Sequence, residues 1–469
     1  MEKVINNGSY VNTKNIELLS PLYVAVSNNN NEVVPVLIQA DADVNIRIGG
    51  KSLLDIAIEN RNFEIIGYLV KAGIEFTAVY RYKNTPHLNH WYEDYTYLMW
   101  AVEDGDAELL EHFINLGVDI NRVIFGETPI MLAIRKKNMP IIDILINAGA
   151  ILEREPKAGI GSALTRAIGG KDQEIINRIL EENPLVTNED LSSAIIWDAN
   201  IETIKIILAR IPEIDRPRLP LVEAVLRREM EIIHLLLENG ADVNYYNREG
   251  VTPLMMASLI NVDICELLIN AGADLSLKAD YRSNQRWTAL HFAAHGDGPY
   301  WPYSYRSPNA KPFSPKIEIV KLLVRAGADV NSAADGLSWW SFRMIKVTPL
   351  MLTDNEEVIR ELLQAGADVN AQDGDGRTAL MYSVYFYKSI EQARLLIEAG
   401  ADINAVNVRG RNAFMFAQAV KDNEEVINYL ITAGADTSII DVLPDEYREY
   451  GSDYNYYFYI TENFYSSDH

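Results

Sequence analysis

His291 and His295 stand four residues apart, a spacing that puts two imidazoles on one helix face, within reach of a shared metal ion. A zinc-peptidase reading needs a glutamate directly after the first histidine to act as general base, and Phe292 occupies that place. His87 and His90 are the other close pair, but no acid or cysteine accompanies them at ligand spacing. A metal-dependent hydrolase built on them is a remote alternative. Asp373-Gly374-Asp375-Gly376 has the residue types of a calcium loop, yet its ligand spacing fails and the closing bidentate glutamate is missing. Gly159-Ile160-Gly161 is too short to cradle a phosphate. The lone cysteine, Cys265, excludes an intrachain disulfide and a multi-cysteine zinc site. It falls on an apolar helical stripe, where a buried thiol is expected. Nothing pairs a nucleophile with a base. The expectation is therefore no catalytic residue, no metal and no cofactor.

The elements that carry these residues recur. Leu236-Leu237-Glu238-Asn239-Gly240-Ala241-Asp242-Val243-Asn244 returns in variant form from Leu322 to Asn331, Leu362 to Asn370 and Leu395 to Asn404. Self-similarity at a period near thirty-three residues marks a stack of small units that cannot bury their apolar faces alone. Each unit opens on a helix start: Thr128-Pro129, Thr252-Pro253 and Thr348-Pro349 place a hydroxyl at the N-cap and proline at the first helical position. A small residue follows, as Ala57, Ala133, Ala257 or Ala293, where helices must approach closely. The second helix carries the apolar run, as in Ile317 to Val324, and a glycine such as Gly240 or Gly327 ends it. The Asp-x-Asn segment then turns the chain into a projecting finger.

This pattern resembles the ankyrin repeat family, most closely at Thr288-Ala289-Leu290-His291-Phe292-Ala293-Ala294. The resemblance implies an all-α fold: an ankyrin-repeat solenoid of about twelve helix-turn-helix units with projecting β-like fingers. It also implies that His291 holds a helix start by hydrogen bonding. Aligned openings fall at Ser20, Ser52, Thr96, Thr128, Ser162, Glu189, Leu219, Thr252, Thr288, Thr348, Thr378 and Asn412. Residues 1–19 read as an N-terminal segment or cap, 20–437 as the array, and 438–469 as an acidic, tyrosine-rich cap or tail. Two short units in 162–218 lack the Gly-Ala-Asp finger, with Asn183-Pro184 and Ile211-Pro212 in its place. Helix pairs without a full finger are expected there. Insertions at 77–95, 296–315 and 332–347 interrupt the rest.

In a resembling array the first helices and the fingers line a concave side. Reading positions four, seven and eight after each opening residue gives Met256, Leu259, Ile260, Phe292, Tyr382, Tyr385, Phe386 and Phe416 in the C-terminal half. The fingers add Tyr245, Tyr246, Trp339 and Trp340. The same positions are polar earlier, as at Glu59, Glu103, Asp104, Arg135 and Lys136. Aromatic side chains give large contact area at low entropic cost and recur at interface hot spots. A protein partner bound in a concave aromatic groove is the expected function.

The formal charge of -24 disfavours direct nucleic-acid binding, which needs cations to displace counterions from phosphates. Anionic membranes are disfavoured by the same sign. The charge suits a basic partner, and the alternative reading is an acidic decoy or inhibitor occupying another protein's basic nucleic-acid site. No signal segment and no apolar run of about eighteen residues is legible. A monomer in the cytoplasm is expected, with an exported effector as the other location.

Overall fold

The computed structural model describes residues 11–14, 19–74, 96–124, 126–153, 161–247, 250–279, 286–296, 317–337, 344–421 and 423–438. These form twelve helix pairs, divided between two compact units, 1–211 and 212–469. The expected insertion 77–95 lies outside the described residues, as do nearly all of 296–315 and the tail beyond Ser438.

The first unit contains α1 (Pro21–Ser27), α2 (Val33–Gln39), α3 (Leu53–Glu59), α4 (Phe63–Lys71), α5 (Tyr97–Asp104) and α6 (Ala107–Asn115). It continues with α7 (Pro129–Arg135), α8 (Met139–Asn147), α9 (Ala163–Gly169), α10 (Gln173–Glu181), α11 (Asn188–Ile196) and α12 (Ile201–Arg210). Cap chemistry sets the starts. Ser20, Ser52, Thr96, Thr128 and Ser162 each accept from the backbone N–H three residues on, a bond of about 1 kcal/mol. Ala57, Ala101, Ala133 and Ala167 are fully buried, so α7 seats between α5 and α9 without side-chain bulk. A short antiparallel pair, β1 (Arg47–Ile48) and β2 (Lys51–Ser52), forms one finger.

The second unit contains α13 (Leu221–Arg227), α14 (Met230–Glu238), α15 (Pro253–Ile260), α16 (Val262–Asn270), α17 (Ala289–His295) and α18 (Ile317–Arg325). It ends with α19 (Pro349–Leu352), α20 (Glu356–Gln364), α21 (Ala379–Tyr382), α22 (Ile390–Glu398), α23 (Ala413–Gln418) and α24 (Glu424–Thr432). Along this unit each first helix packs on the next, α13 on α15 and α15 on α17, while the second helices form a parallel layer.

Two expectations are corrected. The sixth pair opens at Thr187, not Glu189, because Thr187 and Asp190 cap each other reciprocally. The seventh opens after Pro220 rather than at Leu219, with no side-chain cap. Its approach is a 3₁₀ helix, Glu213–Arg218, which replaces the missing finger. Within the insertion 332–347 the ends pair as β3 (Ala334–Leu337) and β4 (Met344–Val347), with Ala334 opposite Val347.

The recurrent asparagine of Asp-x-Asn does more than turn the chain. Asn370 Oδ1 accepts from Asp402 N–H at 2.7 Å while its Nδ2 donates to Gly400 O at 3.1 Å. Asn331 makes the same pair of bonds to Asp368 and Gly366, and Asn404 bridges likewise to Asp436 and Gly434. Each asparagine thus ties one finger to the next. At the other end Asn12 bridges Asp43 N–H and Asp41 O while Val11 is buried. Part of the N-terminal segment is therefore built as a finger.

Candidate functional site

The proposed groove residues divide by burial. α15 touches α13, α17 and its own partner α16, and all eight of its residues are buried. Met256 is 1% exposed, and Leu259 and Ile260 are similarly enclosed. Phe292 is buried under Trp287, edge-on at 5.4 Å between ring centroids. The expectation that these four line an open groove is corrected. No residue of α15 is left exposed at those positions. Tyr382 is also buried, and Trp339 and Trp340 lie outside the described residues.

Five aromatics remain accessible. On a finger, Tyr245 and Tyr246 are exposed and stacked, with ring centroids 6.3 Å apart and planes within 13°. Further on, Phe386 is 40% exposed, and half-buried Tyr385 meets it edge-on at 4.9 Å. Tyr385 in turn meets half-buried Phe416 of α23 at 5.7 Å and 84°. Tyr382 supports Phe386 from below at 5.3 Å. The structure thus brings Tyr382, Tyr385, Phe386 and Phe416 into one cluster across two repeats.

The repeat that carries Phe386 has one extra residue between its two helix caps. Ten residues separate the caps Ser52 and Asn62, Thr96 and Asp106, Thr128 and Asn138, and Ser162 and Asp172. Eleven separate Thr378 from Ser389. The surplus is absorbed as a π-helical turn over Ser383–Tyr387 that follows α21 directly, a rare single-turn feature that is frequent at functional sites. Lys388 closes the turn at φ 51°. Asn423 donates from Nδ2 to Val384 O at 3.0 Å and to Ala417 O at 3.2 Å, fastening α23's repeat to the turn.

Below this cluster sits Asp373. Its carboxylate is buried and accepts from the N–H groups of Asp375 and Arg377 at 2.8 Å and from the Tyr382 hydroxyl at 2.9 Å. Arg377 pairs with Asp375 at 2.9 Å. Burial pushes the Asp373 carboxyl up and the Tyr382 phenol well above its usual range. These oxygens are engaged by their own loop, so the Asp373–Gly376 turn is a locked finger tip rather than a calcium cradle. Among the described residues no group of three His, Cys, Asp or Glu side chains is placed to hold a metal. His87 and His90 lie outside them.

His291 is fully buried and caps its own helix. Its Nδ1 accepts from the Thr288 backbone N–H, with the Thr288 hydroxyl 2.7 Å away. Cys265 is buried in α16. The polar first-helix ends of the first unit are largely paired: Lys51 with Glu59, Lys136 with Glu103, and Arg135 with Glu127. Sequence reasoning missed the exposed apolar residues Leu185, Ile196 and Trp197 of the fingerless repeat. The absence of a finger over 183–187 was the available signal. Among the described residues no helix is long and apolar enough to cross a membrane.

A family model described as ankyrin repeats in three copies matches residues 1–79, 98–190, 191–279, 221–334, 310–407 and 344–441. An ankyrin repeat protein of Rickettsia felis is 23% identical over 316 residues, 58% of this chain and 78% of that one. The ankyrin repeat and KH domain-containing protein mask-1 of Caenorhabditis elegans is 29% identical over 245 residues, 50% of this chain but 9% of its own length. Among solved structures, the ankyrin repeat domain of Bcl-3 matches at 24% identity and a TM-score of 0.37, covering 48% of this chain and 89% of that domain.

Proposed function

The chain belongs to the ankyrin repeat family, and on that premise we propose that it is a non-enzymatic module holding a partner protein against the Tyr385–Phe386–Phe416 face. Ankyrin repeats are generally protein–protein interaction modules. The observation that carries the location is Phe386 itself, 40% exposed on a packed aromatic base beside the π-turn. Rings already held in place lose little conformational entropy when a partner covers them. The stacked Tyr245–Tyr246 pair offers the same chemistry on an earlier finger and serves as a second contact.

The test compares the full chain with Phe386→Ala and with the Tyr385→Ala, Phe386→Ala double variant. Both are used for affinity purification from native cells, followed by mass spectrometry. A partner captured by the natural chain should bind the double variant about thirtyfold more weakly, the effect of removing a hot spot of about 2 kcal/mol. Circular dichroism should show an intact array. Equal capture by a folded double variant refutes this location.

A second reading, the acidic decoy for a basic nucleic-acid site, draws on the charge of -24. The exposed finger carboxylates Asp242, Asp274, Asp329, Asp368, Asp402 and Asp436 also favour it. It requires affinity that falls steeply with salt and competition by nucleic acid; a complex indifferent to salt removes it.

A further inference from the structure

We infer that Ile151 and Leu185, on the finger edge of the first unit, form a docking surface for a basic amphipathic helix of another protein. This surface does not depend on the proposed role of the Phe386 face.

The two residues occupy one structural position in successive repeats. Ile151 lies four residues past the end of α8, and Leu185 four past the end of α10. Each follows a left-handed turn residue, Gly149 at φ 87° and Asn183 at φ 51°. Each precedes a buried aliphatic, Leu152 in one repeat and Val186 in the next. Arg178 Nε donates to Asp143 Oδ1 at 2.6 Å, so α10 and α8 stand side by side. Neighbouring helices pack about 8–10 Å apart, and the two side chains repeat at about that spacing.

Elsewhere this position is acidic. Asp119, Asp242, Asp274, Asp368 and Asp402 occupy it and are exposed. The backbone is engaged in the same way in both cases: Ile151 N–H donates to Asn121 at 2.8 Å, as Asp274 N–H does to Asn244. Only the side chain differs. Ile151 is 53% exposed and Leu185 66%. One exposed aliphatic is ordinary on any protein surface. Two consecutive repeats that exchange a solvated carboxylate for an aliphatic side chain gain nothing in folding by it, and a shared contact outside the chain supplies the reason.

Charge selects the occupant. Around the pair, Asp119, Glu153 and Glu181 are exposed carboxylates, while Asp143 and Glu182 are both paired with Arg178. The remaining described cations are exposed Arg122 and Arg210, and Arg210 donates from Nη2 to Leu180 O at 3.0 Å. An apolar pair in an acidic setting fits aliphatic side chains flanked by lysine or arginine. Residues seven apart on a helix share one face and stand about 10 Å apart, which matches the repeat spacing. A second copy of this chain fits less well, because its formal charge of -24 would bring acid against acid.

The experiment uses fluorescence anisotropy on the full chain with a synthetic, labelled helix of about three heptads, leucine at every seventh position and lysine on both flanks. The decisive variant combines Ile151→Asp and Leu185→Asp. It gives both repeats the residue that other repeats carry, so circular dichroism should show an intact array. It also adds negative charge. A peptide held by charge alone would bind this variant more tightly, whereas loss of two aliphatic contacts should weaken binding about tenfold. Leu185→Ser alone, the milder change, should weaken it about threefold. The same peptide with glutamate in place of lysine should not bind the natural chain. Equal or tighter binding of the lysine peptide by the folded double variant overturns the inference, and so does equal binding of the glutamate peptide. A natural chain that sediments as a dimer, with a monomeric double variant, would make a second copy the occupant and overturn it too.

Discussion

His291 Nε2 lies 3.2 Å from the carbonyl oxygen of Val347, fifty-six residues further along the chain. Because Nδ1 accepts from the Thr288 N–H, Nε2 carries the proton and donates it to Val347. One neutral imidazole therefore caps α17 and anchors the end of β4. The insertion that interrupts the array returns to a bond made by the repeat before it.

That geometry sets a pH dependence. Burial lowers the His291 pKa from 6.5 to about 4. The unfolded chain takes up the proton near pH 6.5 and the folded chain only near pH 4, so stability falls as pH drops between those values. The loss from this group should reach about 3 kcal/mol. Thermal unfolding of the natural chain and of His291→Gln at pH 7 and pH 4 isolates it: the natural chain's advantage should shrink by about that amount. A constant gap between the two proteins would disprove the linkage.

Much of the architecture was legible because cap chemistry is local. Thr128, Thr252 and Thr378 announce helix starts within three residues of themselves. What was not legible depends on neighbours. Met256 and Phe386 are both apolar groove candidates, yet the first is buried with the rest of α15 while the second is 40% exposed. Periodicity cannot separate them, since each lies in an almost wholly apolar first-helix segment. The finger asparagines were visible as a motif, but their partners lie about thirty residues away, beyond any local pattern.

The asparagine bridges can be weighed singly. Asn370→Ala removes the acceptor for Asp402 N–H and the donor to Gly400 O. Both atoms sit at an exposed edge where water replaces the lost partners, so the cost should be about 1 kcal/mol rather than the larger penalty of a buried orphan. Amide hydrogen exchange should accelerate at Asp402 and stay unchanged at Asp274, whose bond runs to Asn244 instead. Uniform acceleration across both fingers would show that the bridge acts globally.

Gly376 makes a sharper demand. It has φ +76°, and a Cβ there would meet Val408 N at 3.0 Å and Asn407 Cα at 3.1 Å, both backbone atoms. Gly376→Ala therefore combines left-handed strain with a clash that no rotamer relieves, and should cost more than about 1 kcal/mol. The Val408 N–H to Asp375 O bond is the contact expected to open. Faster exchange at Val408 with a lowered midpoint in urea is the expected result. An unchanged midpoint would mean the two fingers are not in register as described.

Tyr382 separates support from contact. Its hydroxyl donates to buried Asp373 at 2.9 Å, while its ring lies under Phe386. Tyr382→Phe keeps the ring and removes the donor, leaving Asp373 Oδ2 with Arg377 at 3.8 Å. Losing one partner of a buried acceptor costs about 1–3 kcal/mol, so the midpoint of unfolding should fall. Partner capture should persist, because Phe386 and Tyr385 remain in place. Tyr382→Ala removes the ring as well and should weaken capture along with stability. If Tyr382→Phe abolishes capture while the chain stays folded, the hydroxyl acts at the surface, and Tyr382 is a contact residue rather than a buried prop.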